Sequence, residues 1–392
     1  MKAVTWQGTR NVSVETVPDP VLKEPTDAII RVTSSGLCGS DLHLYETLGP
    51  FMTPGDIVGH EPMGIVEETG PDVGGLQVGD RVVVPFQIAC GHCYMCDLQL
   101  QTQCETTQVR EYGSGAALFG YSKLYGAVDG AQAEYLRIPH ADYGPIKVPD
   151  GPVDDRFLFL SDVMPTAWQA VDYANVPDGG TVLVLGLGPI GDMATRIALH
   201  RGYQVIAVDL VDERLSRAIA SGATTIDLRE VDDVPEAVRS LTGGRGTDSV
   251  VDAVGMEAHG SPVASLMQKA TGLLPRGLAA PLMQRGGIDR LAALHTAIEA
   301  VRRGGTISLS GVYGGQTDPM PMMTMFDKQI TLRMGQANVR RWVDDLLPLV
   351  EDQDVLGTET FATDHVALDD APQAYRDFQH KAHGTVKVVF RP

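Results

Sequence analysis

Residues 181–202 read TVLVLGLGPIGDMATRIALHRG: an unbroken apolar run, a glycine-spaced turn, then a helix-like stretch. A run such as Thr181 to Leu185 suits a strand covered on both faces, because a half-exposed strand would alternate apolar with polar residues. The turn Gly186-Leu-Gly188-Pro189-Ile190-Gly191 has the spacing GxGxxG, and it has the context that the bare spacing lacks, a strand before it and a helix after. Gly186 permits the tight turn and Gly188 lets a pyrophosphate approach the backbone. Gly191 lets helix pack on strand, with the anion at the helix N-terminus beside Pro189 and Ile190. Twenty-three residues after Gly186, Asp209 ends the next apolar run. A carboxylate there accepts hydrogen bonds from a ribose 2′-hydroxyl and repels a 2′-phosphate, so the reading is a dinucleotide site that favours NAD over NADP. Arg214, five residues on, either stacks along the adenine or is a solvated helix residue.

Downstream the alternation continues through YQVIAVDL, DERLSRAIASG, ATTIDL, VPEAVRSLTGG and TDSVVDAVG. Two further strands, GTISLSG at 305–311 and QITLRMG at 329–335, raise the strand count to six. Continuous apolar strands that alternate with helices predict an α/β domain with a doubly wound parallel sheet. Upstream, from 1 to about 160, the texture changes: VTWQG, AIIRVTS, GIVEETG, DRVVVPF and AEYLRI are short strands between Gly, Pro and Asp clusters, an all-β pattern. At the other end come a helix-like RWVDDLLPLVED and a last strand within GTVKVVFRP. One connection is too long. About fifty residues separate the strand ending near Val254 from the one starting near Thr306, whereas a crossover needs about a dozen. An inserted loop is placed at about 256–290, ahead of a crossover helix in LAALHTAIEAVRRG. It is a surface excursion, a flap over the cofactor or an oligomer contact. The methionine-rich MPMMTM at 320–325 reads as adaptable core or subunit contact rather than a metal box.

A chain of 392 residues with 43% apolar content is long enough for two packed domains. Its formal net charge of -19, without a basic block, argues against nucleic acid and against an anionic membrane surface. A small-molecule partner is the better expectation. No apolar signal core or run of eighteen apolar residues is present, so a soluble, cytoplasmic protein is expected.

Four of the five cysteines fall in CGHCYMCDLQLQTQC, residues 90–104. Cys90, Cys93, Cys96 and Cys104 are separated by two, two and seven residues, which suits a tetrahedral zinc in a compact lobe. Four protein ligands leave no open position, so the site would be structural. A CxxC redox pair fits poorly outside a βαβ region, while an iron–sulfur cluster stays open on ligand type. The remaining cysteine, Cys38, stands in Gly36-Leu-Cys38-Gly39-Ser40-Asp41-Leu-His43, and Gly59-His60-Glu61 follows soon after. A catalytic zinc uses three protein ligands and one open position, and Cys38 and His60 would supply two of the three.

CGSDLH, GHE, the four-cysteine lobe and GLGPIG, in this order, resemble the zinc-dependent medium-chain alcohol dehydrogenases over essentially the whole chain. The resemblance implies a GroES-like β domain at 1–162 that carries the structural zinc lobe at 90–104. A Rossmann NAD-binding domain at 163–336 is inserted into it, and 337–392 return to the catalytic domain. It makes Cys38 and His60 ligands of a catalytic zinc. The third ligand is a cysteine in many members; here the corresponding place is Leu160-Ser-Asp162-Val-Met-Pro-Thr166, and Asp162 is the candidate, with a helix N-cap as its ordinary alternative. An aspartate there, followed by proline and threonine, is similar to the branch of glutathione-independent formaldehyde dehydrogenase and formaldehyde dismutase. That branch carries extra residues after its DAVG strand, here Asp252 to Gly255, that hold NAD tightly. The long connection fits, although its internal sequence follows the branch only in scraps such as SLMQ.

Further roles come from the resemblance. Ser40 accepts the substrate hydroxyl proton and His43, whose imidazole can both take up and give a proton, relays it to solvent. Asp41 bonds the second nitrogen of His60, and Glu61 sits behind the metal. Thr166 faces the nicotinamide, Val254 contacts the cofactor, Lys387 meets the pyrophosphate, and Phe86 lines the substrate pocket or merely packs. The expected enzyme is a zinc-dependent oxidoreductase that moves hydride between an alcohol or aldehyde hydrate and NAD. It would be formaldehyde-dehydrogenase-like, hold two zinc ions per chain and form a homodimer or homotetramer. The alternative is a dehydrogenase of a larger alcohol, polyol or amino-alcohol with freely exchanging NAD. A non-catalytic redox-state sensor is the alternative of another class, and the full set of Cys38, Ser40, His43, His60 and Asp162 speaks against it.

Overall fold

The computed structural model describes residues 1–255, 291–313, 320–380 and 384–392. The insertion expected at about 256–290 lies outside the described residues. The chain divides into two compact units, one of Met1–Pro165 with Ala337–Pro392 and one of Thr166–Gln336. The first unit begins with strands β1 (Lys2–Gly8), β2 (Asn11–Thr16), β3 (Ala28–Leu37), β4 (Glu61–Thr69), β5 (Arg81–Val83), β6 (Tyr135–Ile138) and β7 (Ile146–Lys147). The second holds β8 (Thr181–Leu185), β9 (Gln204–Asp209), β10 (Thr224–Asp227), β11 (Thr247–Asp252), β12 (Val301–Leu309) and β13 (Thr331–Met334). The chain then returns to the first unit with β14 (Asp364–Ala367) and β15 (Val388–Arg391).

In the first unit β1 and β2 form an antiparallel pair, and a seven-stranded sheet runs β14-β15-β3-β4-β5-β7 with β6 also on β3. The long β3–β4 ladder runs from Ala28 opposite Thr69 to Gly36 opposite Glu61. That register brings the residue after β3, Cys38, beside the residue before β4, His60. β15 pairs with the same end of β3, Val389 opposite Gly36. Alternation along β3 turns Ile30 and Val32 into a core with Val66, Val82, Leu136 and Ile138, while Arg31 stays exposed. A second core gathers Trp6, Leu37, Leu44, Tyr45, Tyr375 and Phe390, and the Trp6 indole N–H donates to the Leu44 carbonyl at 3.0 Å, so its burial strands no donor.

The second unit is a six-stranded sheet in the order β10-β9-β8-β11-β12-β13, with every pairing parallel. Numbered within the sheet this is 3-2-1-4-5-6, the doubly wound dinucleotide-binding order. Val182, Leu183, Val184, Val250 and Val251 are fully buried, as continuous apolar strands require. Two boundaries differ from the sequence pattern. The crossover helix stops at Ala300 and Val301 already belongs to β12, because Val301 pairs opposite Thr247 and the Arg302 guanidinium holds Asp248 at 2.6 Å. RWVDDLLPLVED is two helices, Val339–Leu346 and Pro348–Glu351, since proline lacks the N–H that would continue the first. Among the described residues no helix is long and apolar enough to cross a membrane.

Candidate metal and cofactor sites

Helix Gly39–Glu46 begins directly after Cys38, whose N–H donates to Asp41 Oδ2 at 3.0 Å. The carboxylate thus caps the helix while its other oxygen, Oδ1, lies 3.1 Å from His60 Nδ1. Asp162 follows a short 3-10 turn, Phe159–Ser161, and its Oδ2 lies 3.3 Å from Cys38 Sγ and 3.5 Å from His60 Nε2. A tetrahedral zinc with bonds of about 2.3 Å to sulfur and about 2.1 Å to nitrogen and oxygen would hold such atoms roughly 3.4–3.6 Å apart. The three side chains therefore fit that ion, and a Glu61 carboxylate oxygen lies within 4.8 Å of the same atoms. Burial, with the Asp162 and Glu61 carboxylates, pushes the Cys38 thiol up to about 11. Burial opposes charge on His60, yet the Asp41 and Asp162 carboxylates outweigh it and lift the imidazole well above its ordinary value. Carboxylates thus face both the thiol and the imidazole, an arrangement suited to a cation.

Ser40 Oγ lies 3.3 Å from His60 Nε2, and His43 sits one turn further along the same helix, half-buried. Phe86 is buried with its ring edge-on to His60 at 6.2 Å, and its N–H donates to the Ser161 carbonyl next to Asp162. Tyr121, which sequence reasoning missed, meets His60 in the same manner at 6.4 Å. Nothing in GYSKLYG distinguishes it from a turn residue. Lys387, which the resemblance assigns to the pyrophosphate, has another partner in the structure. Its side chain is fully buried in the first unit, and its ammonium pairs with Glu61 Oε1 at 2.5 Å. β15 delivers it there, because β15 pairs with the end of β3 that adjoins Glu61.

In the lobe, Cys104 Sγ lies 3.6 Å from Cys90 Sγ and 3.9 Å from Cys93 Sγ. Both distances are too long for a disulfide and close to the roughly 3.8 Å between thiolates on one tetrahedral zinc. Burial opposes ionisation of Cys104, yet bonds from backbone N–H groups, that of Cys90 first, bring its thiol down to about 6. Thr102 anchors the lobe to the returning segment, its N–H and hydroxyl both 3.0 Å from Asn338 Oδ1.

The second unit presents the glycine turn at the end of β8. Gly186 has φ +80°, and a Cβ on Gly191 would lie 1.7 Å from the Gly186 carbonyl, so only glycine lets helix Pro189–His200 pack this close. Gly188 is the N-cap residue of that helix, with Pro189 and Ile190 opening it. The Asp209 carboxylate is fixed by the N–H groups of Leu187, Leu210 and Val211 at 2.6, 2.7 and 3.0 Å. Arg214 is buried with its guanidinium 4.0 Å from Asp209, which excludes a solvated helix residue. Val254 packs against Gly186, where a Cβ would meet its Cγ2 at 2.5 Å. Its N–H donates to Asp252 Oδ1 at 2.9 Å, and the Tyr313 hydroxyl donates to Asp252 Oδ2 at 2.5 Å. Thr166 is the first residue of this unit.

Residues 24–150 match the family described as the alcohol dehydrogenase GroES-like domain, and residues 189–274 the family described as zinc-binding dehydrogenase. The chain is 39% identical over 397 residues, with 100% of both chains covered, to an uncharacterised zinc-type alcohol dehydrogenase-like protein of Bacillus subtilis. Formaldehyde dismutase of Pseudomonas putida is 34% identical over 403 residues, covering 96% of this chain and 94% of that protein. Among solved structures, alcohol dehydrogenase TADH from Thermus sp. ATN1 superposes with a TM-score of 0.82 at 33% identity, covering 100% of this chain and 99% of that one.

Proposed function

Because this chain belongs to the zinc-dependent medium-chain alcohol dehydrogenases, we propose that it oxidises a small aldehyde hydrate or alcohol, formaldehyde foremost, with NAD. It is a zinc-dependent oxidoreductase. The observation that carries the finer reading is the Asp162 carboxylate beside Cys38 and His60, at 3.3 and 3.5 Å. The similarity to formaldehyde dismutase supports it. Zinc on Cys38, His60 and Asp162 would supply Lewis acidity to the substrate oxygen, and NAD would take up the hydride. One thiolate and one carboxylate offset the two charges of the ion, so a developing alkoxide is not repelled. Ser40 receives the hydroxyl proton and His43, on the same helix, passes it towards solvent. Phe86 and Tyr121 flank His60 with aromatic walls, which favours a small substrate. Asp209 selects against a 2′-phosphate, hence NAD. The four thiols of the lobe hold a second, structural zinc.

We place the enzyme in the cytoplasm as a homodimer or homotetramer. Met322, Met323, Phe326 and Met334 are all more than half exposed on the second unit, an apolar surface that supports self-association. The deciding experiment is NAD reduction by formaldehyde without added thiol, measured beside a series of longer alcohols. Formaldehyde is expected to give the highest kcat/KM. A preference for longer alcohols would replace this reading with the larger-alcohol one.

A further inference from the structure

We infer that Gln132 and Tyr375 are positioning residues for His60, acting through Asp41. The inference rests on the reading of Cys38, His60 and Asp162 as a zinc site. The Tyr375 hydroxyl lies 2.9 Å from Gln132 Oε1, Gln132 Nε2 lies 3.3 Å from Asp41 Oδ2, and Asp41 Oδ1 lies 3.1 Å from His60 Nδ1. None of the four side chains' residues is more than 4% exposed, so water does not compete for these contacts. The last contact is at ion-pair distance, short of a straight hydrogen bond. Neither Asp41 Oδ1 nor His60 Nδ1 has another hydrogen-bond partner among the described residues, which leaves them to each other.

Donor chemistry fixes the direction of every link. A carboxylate only accepts, so Gln132 must turn its amide N–H towards Asp41 and its carbonyl oxygen towards Tyr375, whose hydroxyl then donates. His60 Nδ1 must likewise donate to Asp41, which leaves the Nε2 lone pair facing Cys38 and Asp162. Without the Tyr375 donor, Gln132 loses its reason to keep that orientation, and a flipped amide would set oxygen against oxygen at Asp41.

The backbone is shaped for this approach. A Cβ on Gly59, the neighbour of His60, would lie 2.4 Å from Gln132 Cγ and 2.8 Å from its backbone nitrogen, and Gly59 has φ +96°. Gln132 is pinned at both main-chain groups, its N–H to the Val58 carbonyl at 3.0 Å and its carbonyl to the Val4 N–H at 2.8 Å. Tyr375 comes from helix Ala371–Gln379 in the returning segment, and its ring meets Tyr45 of the Cys38 helix at 5.4 Å. The C-terminal segment thereby reaches the ligand set by a second route, distinct from Lys387.

The test is the rate at which zinc leaves the full-length, zinc-loaded enzyme to a chromogenic chelator. Cys38→Ser and Cys93→Ser identify the phases that belong to the two sites. Gln132→Met is expected to speed loss from the His60 site about tenfold and Tyr375→Phe about threefold, with the lobe phase unchanged. Cobalt substituted at the His60 site should show a shifted visible ligand-field band in both variants. Wild-type loss rates in both variants would overturn the inference, as would equal acceleration of both phases, which is the mark of a packing defect. If Gln132→Met does not fold, Tyr375→Phe, which removes a single oxygen, decides alone. Wild-type zinc content in Cys38→Ser would refute the site reading itself, and the inference with it.

Discussion

The two ligand clusters of the first unit are assembled in opposite ways. Cys90, Cys93, Cys96 and Cys104 come from fifteen consecutive residues, and as ligands of the proposed structural zinc their four thiols would complete a tetrahedron. Cys38, His60 and Asp162 come from the end of β3, the start of β4 and a turn about a hundred residues later, and on the proposed reading three ligands would leave one position open. The difference teaches that a closed centre can be local, since it only has to hold its own loop, whereas an open centre needs the surrounding sheet to fix what the metal leaves unfixed. The supports of the open site bear this out: Asp41 on His60, and the buried Lys387–Glu61 pair behind it.

The largest expected effect comes from breaking each cluster in turn. Cys38→Ser should lower kcat by at least about 10³, because the Lewis acidity at stake is worth several kcal/mol, while circular dichroism and the melting temperature stay near wild type. Cys93→Ser should do the reverse, lowering the melting temperature and solubility and leaving the kcat of the surviving folded fraction within a few-fold. Equal loss of folding in both variants would abolish the distinction between the clusters.

The difference in assembly also explains what could be read from the chain beforehand. Ligands two or seven residues apart declare themselves by spacing, and so did the glycine turn with its strand, helix and Asp209. Partners set by strand pairing do not. Lys387 and Glu61 are 326 residues apart, and Tyr375 and Gln132 are 243 apart; no local pattern couples them. The resemblance alone assigns Lys387 to a pyrophosphate, and its pairing with Glu61 emerges only from the register of β15 on β3. Arg214 shows the same limit on a smaller scale, since its burial depends on the Asp209 turn rather than on its own helix. The crossover helix ends at Ala300, ahead of the VRRG that the sequence pattern includes, because the pull of Asp248 on Arg302 is tertiary.

The next effect bears on the support behind the open site. Lys387→Met leaves the fully buried Glu61 carboxylate without its counter-charge, and breaking a buried pair in this way costs about 3–5 kcal/mol. Glu61→Gln added to Lys387→Met removes the stranded charge and should recover most of that loss, as read from denaturant midpoints at constant slope. The same pair of variants in an enzyme carrying Cys93→Ser should give the same difference, because the lobe has no part in it. A changed difference would mean that the two centres are coupled and that local and tertiary assembly are not separable here.

The smallest effect tests whether ligand number or ligand kind distinguishes the clusters. Asp162→Cys would make the open site resemble the lobe in chemistry while keeping three ligands and the fourth position free. Carboxylate and thiolate both carry one negative charge, and catalytic zinc accepts either, with a bond to sulfur about 0.2 Å longer. The sum of charges at the site is therefore unchanged, and Cys38 and His60 keep their supports. Zinc content should stay at the wild-type level and kcat/KM should fall no more than about tenfold, roughly 1.4 kcal/mol of barrier. The longer bond draws the ion away from Asp162's side of the pocket, so the loss should be greatest for the smallest substrates, which have no second contact to hold them. A loss approaching that of Cys38→Ser, with zinc still bound, would mean that the carboxylate itself takes part in the chemistry, and the comparison would then rest on ligand kind.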